Sequence, residues 1–335
     1  MCGVTRRQPA HARPAWNIEL IDGERREELA RPDMEGRLRA AVVGLLLLVS
    51  QVRTHQLRRR SHDLERAVIE KTAALQEANR RLADRLCEVL LAPTETARAA
   101  LLAEGAPSNA IVVTGNTVID ALLLTAAQPT PPFEPSLEAA LLRPGPKILV
   151  TVHRRESWGM PMASIARAIR GCCRRHPDLT FIFPIHLNPV VRETFRSILG
   201  NEPGVVFAEP QPYRRFVHLM KAVDLVITDS GGIQEEAPAL GKPVLVMRDV
   251  TERPEGLEAG TARLVGTDSA VIEASITELL SARGAYDDMA NAVSPYGDGR
   301  AAQRIADHLE HFFGFRAQPA EEFVYRPGPN QPEAS

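Results

Sequence analysis

The chain has 335 residues, enough for two α/β domains or for one domain with an appended segment. Its hydrophobic fraction of 44% and charged fraction of 24% are ordinary for a soluble globular protein. With 42 Asp and Glu against 40 Lys and Arg there is no basic field, which excludes a nucleic acid recruited by charge.

Cys2, Cys87, Cys172 and Cys173 show no CxxC spacing. They read as reduced thiols of a cytosolic protein rather than as a disulfide framework, and the adjacent pair does not suit a metal. No metal site is expected.

Residues 1–39 are polar, rich in Arg and Pro and without clear periodicity, which predicts a disordered arm. The stretch from Ala40 to Val52, AAVVGLLLLVSQV, has about thirteen mostly apolar residues, where a membrane-spanning helix needs roughly twenty. Asp33, Glu35, Arg37 and Arg39 before it do not suit the start of a signal peptide. It reads either as a buried or interfacial helix or as the remnant of a membrane helix. A basic run, RTHQLRRR at 53–60, follows it. Leu57 and Leu64, then Val68, Leu75 and Leu82, recur every seven residues in a stretch free of Pro and Gly. This predicts a long amphipathic helix over 53–86, either packed on one face or paired as a coiled coil. Its wording, LRRRSHDLERAVIEKTAALQEANRRLADR, resembles the juxtamembrane helix of sensor histidine kinases, although no kinase motif follows.

From about Leu86 strands and helices alternate. Strands are predicted at 146–152, 179–185, 204–208, 224–228, 242–248 and 262–267. Helices are predicted at about 160–175, from Pro189, at 213–222, from the DSGG turn through Leu240, at 269–282 and at 300–313. This spacing makes a doubly wound parallel sheet, an α/β fold. The last fifteen or so residues read as a tail.

Four segments carry chemistry, each just past a strand. In DLVITDSGGIQEE, an apolar strand runs into Asp229-Ser230-Gly231-Gly232 and a helix. Glycine allows a tight turn and close approach of a phosphate, while the helix start offers unpaired N–H groups. Glu235 and Glu236 are expected in the first helical turn, one within reach of a ribose hydroxyl. The plain alternative is a simple N-cap by Asp229 or Ser230 with a glycine turn. In VTVHRRESWG, His153, Arg154, Arg155 and Glu156 crowd a strand end; Arg suits a diphosphate and His can donate to phosphate or sugar. A single histidine is more often structural, but three polar neighbours at a strand's carboxyl end favour a site. FPIHLNPVVRE adds His186 and Asn188. PQPYRRF offers Gln211 and Phe216 to a uracil edge and face. A loop further on carries Arg253. Such positions past parallel strands define a binding crevice.

These words, with AGTARLVGTD, SPYGDGRAAQRI and LLAPTETARAALLAEGAPSNAIVVTGNTVIDALL, closely resemble the bacterial non-hydrolysing UDP-N-acetylglucosamine 2-epimerases from about Ala83 to Phe313. The resemblance implies two Rossmann-like halves facing one cleft, as in GT-B glycosyltransferases. It also implies a homodimer and interconversion of UDP-GlcNAc and UDP-ManNAc without a cofactor, by loss of the proton at carbon two, expulsion of UDP and re-addition. By motif matching, Gln211, Phe216, Ser230, Gly231, Gly232, Glu236 and Arg253 would hold UDP. His153 would sit catalytically beside the leaving diphosphate. Arg154, Glu156 and His186 match a regulatory site for a second UDP-GlcNAc. The family's GTRPE-like loop, GD-type turn, HVEAG and PEE-type segments, which supply carboxylates for carbon two, do not occur. The expected plan is therefore 1–39 arm, 40–86 apolar stretch and helix, 87–125 remnant of the first epimerase domain, 126–315 UDP-binding domain and 316–335 tail. The location expected is the cytoplasm, with membrane contact through residues 40–52 the lesser alternative. Function reads as an epimerase weakened or disabled by the missing carboxylates, the alternative being a non-catalytic UDP-sugar-binding module on a dimerisation or membrane-proximal helix. A GT-B glycosyltransferase fits the HRRES and TDSGGIQEE words less well.

Overall fold

Pro146 and Gly145 release the chain into β3, Lys147–Thr151, whose central residues Ile148, Leu149 and Val150 are fully buried. A strand buried on both faces needs helices on both, and the sequence supplies them alternately. In the computed structural model, residues 70–71 and 87–328 are described. The chain divides into two units, Met1–Arg80 and Arg81–Ser335, and every element below lies in the second. The apolar stretch 40–52 and, apart from Glu70 and Lys71, the heptad segment up to residue 86 lie outside the described residues.

The unit opens with β1, Leu90–Ala92, helix α1, Glu95–Ala103, and β2, Ile111–Val113, which pairs in parallel with β1 as a two-stranded sheet. Helix α2, Thr117–Ala126, is capped by Asn116, whose Oδ1 accepts from the Val118 N–H at 3.0 Å. A short α3, Pro135–Leu141, leads into β3. There follow α4, Met160–Arg175; β4, Thr180–Pro184; α5, Pro189–Leu199; β5, Val205–Ala208; and α6, Tyr213–Ala222. Then come β6, Leu225–Thr228; α7, Gly231–Ala239; β7, Val244–Val246; α8, Pro254–Glu258; and β8, Ala262–Leu264. The unit closes with α9, Ser269–Ser281, α10, Arg283–Ala290, and α11, Ala301–Phe312.

Strands β3 to β8 form one six-stranded, wholly parallel sheet in the order β5-β4-β3-β6-β7-β8. The chain winds outward from β3 to one edge, then restarts at β6 on the other side. The expected doubly wound α/β sheet is present, with its switch point between β3 and β6. Alternate residues of each strand serve opposite layers. Ile148, Val150, Phe181 and Phe183 pack with Ile165, Ile169, Phe195 and Ile276 from α4, α5 and α9. On the other face Leu149, Ile182, Val226 and Val244 pack with Leu122, Leu137, Val217 and Ala237 from α2, α3, α6 and α7.

Two junctions differ from a plan of separate pieces. Helix α2 gives Leu122 and Ala126 to the large core, so the crossing helix is part of that core's wall. Residues after 315 run back over the small sheet. The Phe323 N–H donates to the Val113 carbonyl at 2.8 Å, its ring packs on Leu90, Ile111 and Val113, and Arg304 lies over it at 5.4 Å. An edge strand with an apolar face needs such cover.

Candidate functional site

At the switch point the carboxyl ends of β3 and β6 lie side by side, Thr151 opposite Thr228, with their hydroxyl oxygens 2.6 Å apart. The Thr228 Oγ1 also accepts the Ser230 N–H at 2.9 Å, which turns the chain as β6 ends. Asp229 lies between, fully buried. Its Oδ2 accepts the backbone N–H groups of His153 and Arg154, each at 2.9 Å, and its Oδ1 lies 3.0 Å from His153 Nδ1. The hydrogen bond to Asp229 raises the His153 pKa above the ordinary 6.5, against partial burial and the nearby Arg154. The imidazole remains 43% exposed and stacks on His186, centroids 5.9 Å apart at 29°. His186 follows β4, and its Nδ1 accepts the Asn188 N–H at 3.2 Å; Asn188 in turn caps α5.

Helix α7 begins at Gly231 with Ser230 as its N-cap, and the Ser230 hydroxyl makes no capping bond. Gly231 and Gly232 both lack the positive φ that would require glycine, so the expectation of a tight glycine turn is corrected: the requirement is clearance. A methyl group at Gly232 would meet nothing within 4 Å, and one at Gly231 only the Arg154 guanidinium at 3.7 Å. Gly231 is half-buried and Gly232 exposed, so the start of the helix, with the positive end of its dipole, is accessible.

Glu235 and Glu236 lie beyond the first turn, which holds no acid; neighbours hold them instead of the dipole. Glu235 accepts Asn116 Nδ2 at 2.7 Å and is bonded by Arg253 Nε. Burial raises the Glu236 carboxyl, which accepts the Tyr213 hydroxyl at 3.1 Å; burial likewise pushes that phenol up to about 12. Gln234 bridges the Ser230 carbonyl, at 3.2 Å, and the Thr251 hydroxyl, at 2.6 Å.

A cleft of about 270 Å³ opens over this corner. Among the residues expected at the site, His153, His186, Gln211, Phe216 and Ser230 line it, together with Thr151, Val152, Pro184, Pro210 and Ile233. Gly231 and Gly232 adjoin it through Ser230. Gln211 donates its Nε2 to the Glu209 carbonyl at 2.7 Å. Arg253 does not line the cleft. It is the N-cap of α8, with its guanidinium engaged by Glu235 and, at 3.0 Å, by the Glu252 carbonyl. Arg154 and Glu156 meet in a rim cluster: Arg154 lies 3.5 Å from both Glu156 and Glu252, and Arg248 reaches Glu156 at 3.1 Å and Glu252 at 2.7 Å. Hydrogen bonding to Arg248 holds the Glu252 carboxyl down at about 2.

Sequence reasoning offered Asp229 only as a helix cap, a place Ser230 takes instead, and assigned no role to Asn116 or Tyr213. An acid between a strand end and a glycine helix start was the available signal for Asp229. Asn116 and Tyr213 act across distances in sequence that no local pattern reveals. Among the described residues no group of three or more His, Cys, Asp and Glu side chains is placed to hold a metal ion, and no helix is long and apolar enough to cross a membrane. Cys172 and Cys173 are free buried thiols, each pushed up to about 12 by burial.

A six-stranded, wholly parallel Rossmann-type sheet with helices on both faces defines one half of a GT-B-like α/β fold. The sequence profile of the family described as UDP-N-acetylglucosamine 2-epimerase matches residues 60–310, and the chain belongs to that family. The match begins upstream of Ala83 and takes in part of the heptad segment. The UDP-N-acetylglucosamine 2-epimerase of Escherichia coli O157:H7 is 48% identical over 241 residues, covering 70% of this chain and 64% of the relative. The chain thus spans less than two thirds of that relative's length. A co-structure of S. aureus MnaA with UDP superposes with a TM-score of 0.69 at 40% identity, over 74% of this chain and 67% of that one. The UDP-GlcNAc 2-epimerase of Neisseria meningitidis bound to UDP-GlcNAc gives 0.62 at 41% identity, over 70% and 64%.

Proposed function

We propose that this chain binds UDP-GlcNAc and takes part in its 2-epimerisation to UDP-ManNAc, the described unit supplying the UDP side of the cleft. The observation that carries this is the Ser230-Gly231-Gly232 helix start, left open beside a histidine that Asp229 keeps basic. The β-phosphate would accept the amides of Gly231 and Gly232 and the Ser230 hydroxyl, and Phe216 with Gln211 would receive the uracil. Glu236 would meet the ribose hydroxyls once its bond to Tyr213 is exchanged. Arg253 would act through its fixed partner Glu235, or swing toward the diphosphate when UDP enters.

In this reading His153 faces the bond that breaks. Removal of the proton at carbon two sends an electron pair toward carbon one and expels UDP; a charged donor at the diphosphate lowers that barrier. UDP then re-adds to the glycal, and a proton returns to carbon two from the opposite face. The carbon-two proton requires a positioned base. The carboxylate words that serve this in the family are absent from the sequence, and this favours a second reading: a UDP-sugar-binding module without turnover. Arg154, Glu156 and His186 are proposed to receive a second UDP-GlcNAc, and the chain to act as a homodimer, both from the family resemblance. Incubation with UDP-GlcNAc in deuterium oxide separates the two readings. UDP-ManNAc carrying deuterium at carbon two supports catalysis, saturable UDP binding without product supports the module, and neither result overturns both.

A further inference from the structure

We propose that Asp229 is the positioning residue that aims His153 at the diphosphate and ties the histidine loop to the phosphate helix. The proposal rests on the UDP reading above and deepens it. Asp229 is the residue between β6 and Ser230, so its backbone sets where α7 begins, while its side chain grips the loop after β3. One oxygen accepts two successive backbone N–H groups, those of His153 and Arg154. The other oxygen faces His153 Nδ1 at 3.0 Å.

The consequence for the ring follows from its two nitrogens. His153 Nδ1 lies 3.0 Å from the Asp229 carboxylate; a proton carried there leaves Nε2 to meet a ligand in the cleft, and a second proton on Nε2 makes it a donor. Asp229 is fully buried, and a buried carboxylate is tolerated only when paired and hydrogen-bonded. Two amides satisfy Oδ2, while Oδ1 makes no hydrogen bond, and a proton on His153 Nδ1, 3.0 Å away, would be its partner. The groups facing His153 are Asp229 from the end of β6, Arg154 and Glu156 on its own loop, and His186 stacked from the end of β4. Asp229 acts most strongly, and Arg154 opposes it. A purely structural carboxylate would need only the two amides; the third contact is the one that reaches the reacting side of the site.

The test uses the full chain. Asp229→Asn retains an oxygen for the amides and removes the charge, so thermal melting should fall only modestly. Histidine titration by nuclear magnetic resonance in the absence of UDP should show His153, assigned by loss of its signal in His153→Gln, titrating above 6.5 and falling in Asp229→Asn. UDP affinity followed by calorimetry across pH should decline from a lower pH in Asp229→Asn, with binding near pH 7.5 weaker by up to about tenfold for each unit by which the histidine is lowered. In a His153→Gln background the same change should leave the pH profile of binding where it was. An unmoved His153 titration, or an equal effect of Asp229→Asn in both backgrounds, overturns the proposal while leaving the UDP reading intact. Absence of UDP binding by the unaltered chain overturns the UDP reading, whereas the ligand-free titration still reports on Asp229. Should Asp229→Asn fail to fold, the unaltered chain decides: a His153 that titrates at or below the ordinary value contradicts the assignment.

Discussion

Ser230, Gly232 and Arg253 can be separated by what each touches. The Ser230 hydroxyl caps nothing, so Ser230→Ala should leave the melting temperature unchanged. It should weaken UDP binding by about 1.5–3 kcal/mol, on the order of ten- to hundredfold, as a lost bond to a charged group does. Calorimetry with UDP beside a thermal melt measures both. Gly232→Ala should move the two quantities in opposite directions. The added methyl has free space and a better helix propensity, for a gain of up to about 1 kcal/mol in stability, yet it stands where a phosphate must approach. Arg253→Ala should lower both stability and affinity, because it leaves the buried Glu235 with Asn116 alone. If Arg253→Ala changes neither, its place in the site is lost. Changes in residues 1–50 should leave UDP affinity as it is. Residue identities at this corner were legible because each lies just past an apolar strand. The partners of Glu235 and Glu236 were not, since Asn116 and Tyr213 reach them from 119 and 23 positions away in sequence.

At the scale of elements, the six strands of the large sheet and the long helices that follow them were legible from apolar runs bounded by Pro, Gly and Asn. Helix α6 spans the predicted 213–222, and α4 the predicted 160–175. Strands β1 and β2 and helices α1 and α2 were not predicted as elements, nor were the short α3, α8 and α10, where five to eight residues give too few turns for a periodic signal. Nor was the return of residues after 315, held by the Phe323 ring, its N–H bond to the Val113 carbonyl and ion pairs of Glu322 with Arg98 and Arg316 with Asp307, all distant in sequence or outside any periodic pattern. Packing in the large core makes its own prediction. Phe183 on β4 is fully buried, edge-on to Phe195 at 4.7 Å and tilted on Phe207 at 5.6 Å. Phe183→Ala should cost about 3–5 kcal/mol by chemical denaturation. A loss under about 1 kcal/mol would mean that the layer between β4 and α5 is not packed as described.

For the molecule as a whole, the sheet order explains why residues scattered from His153 to Ser230 share one cleft. The chain leaves β3 for one edge and β6 for the other, so the two loops diverge and a crevice remains between them. Asp229 spans that crevice. The central claim is that the open amides of Gly231 and Gly232 receive the diphosphate of a uridine nucleotide. Backbone amide resonances recorded while UDP is added to the full chain test it most directly. The account predicts large, saturable shifts at Gly231 and Gly232, accompanied by His153 and absent when uridine without phosphate is added. Saturable binding that leaves these two amides unmoved, or no binding at all, would contradict it.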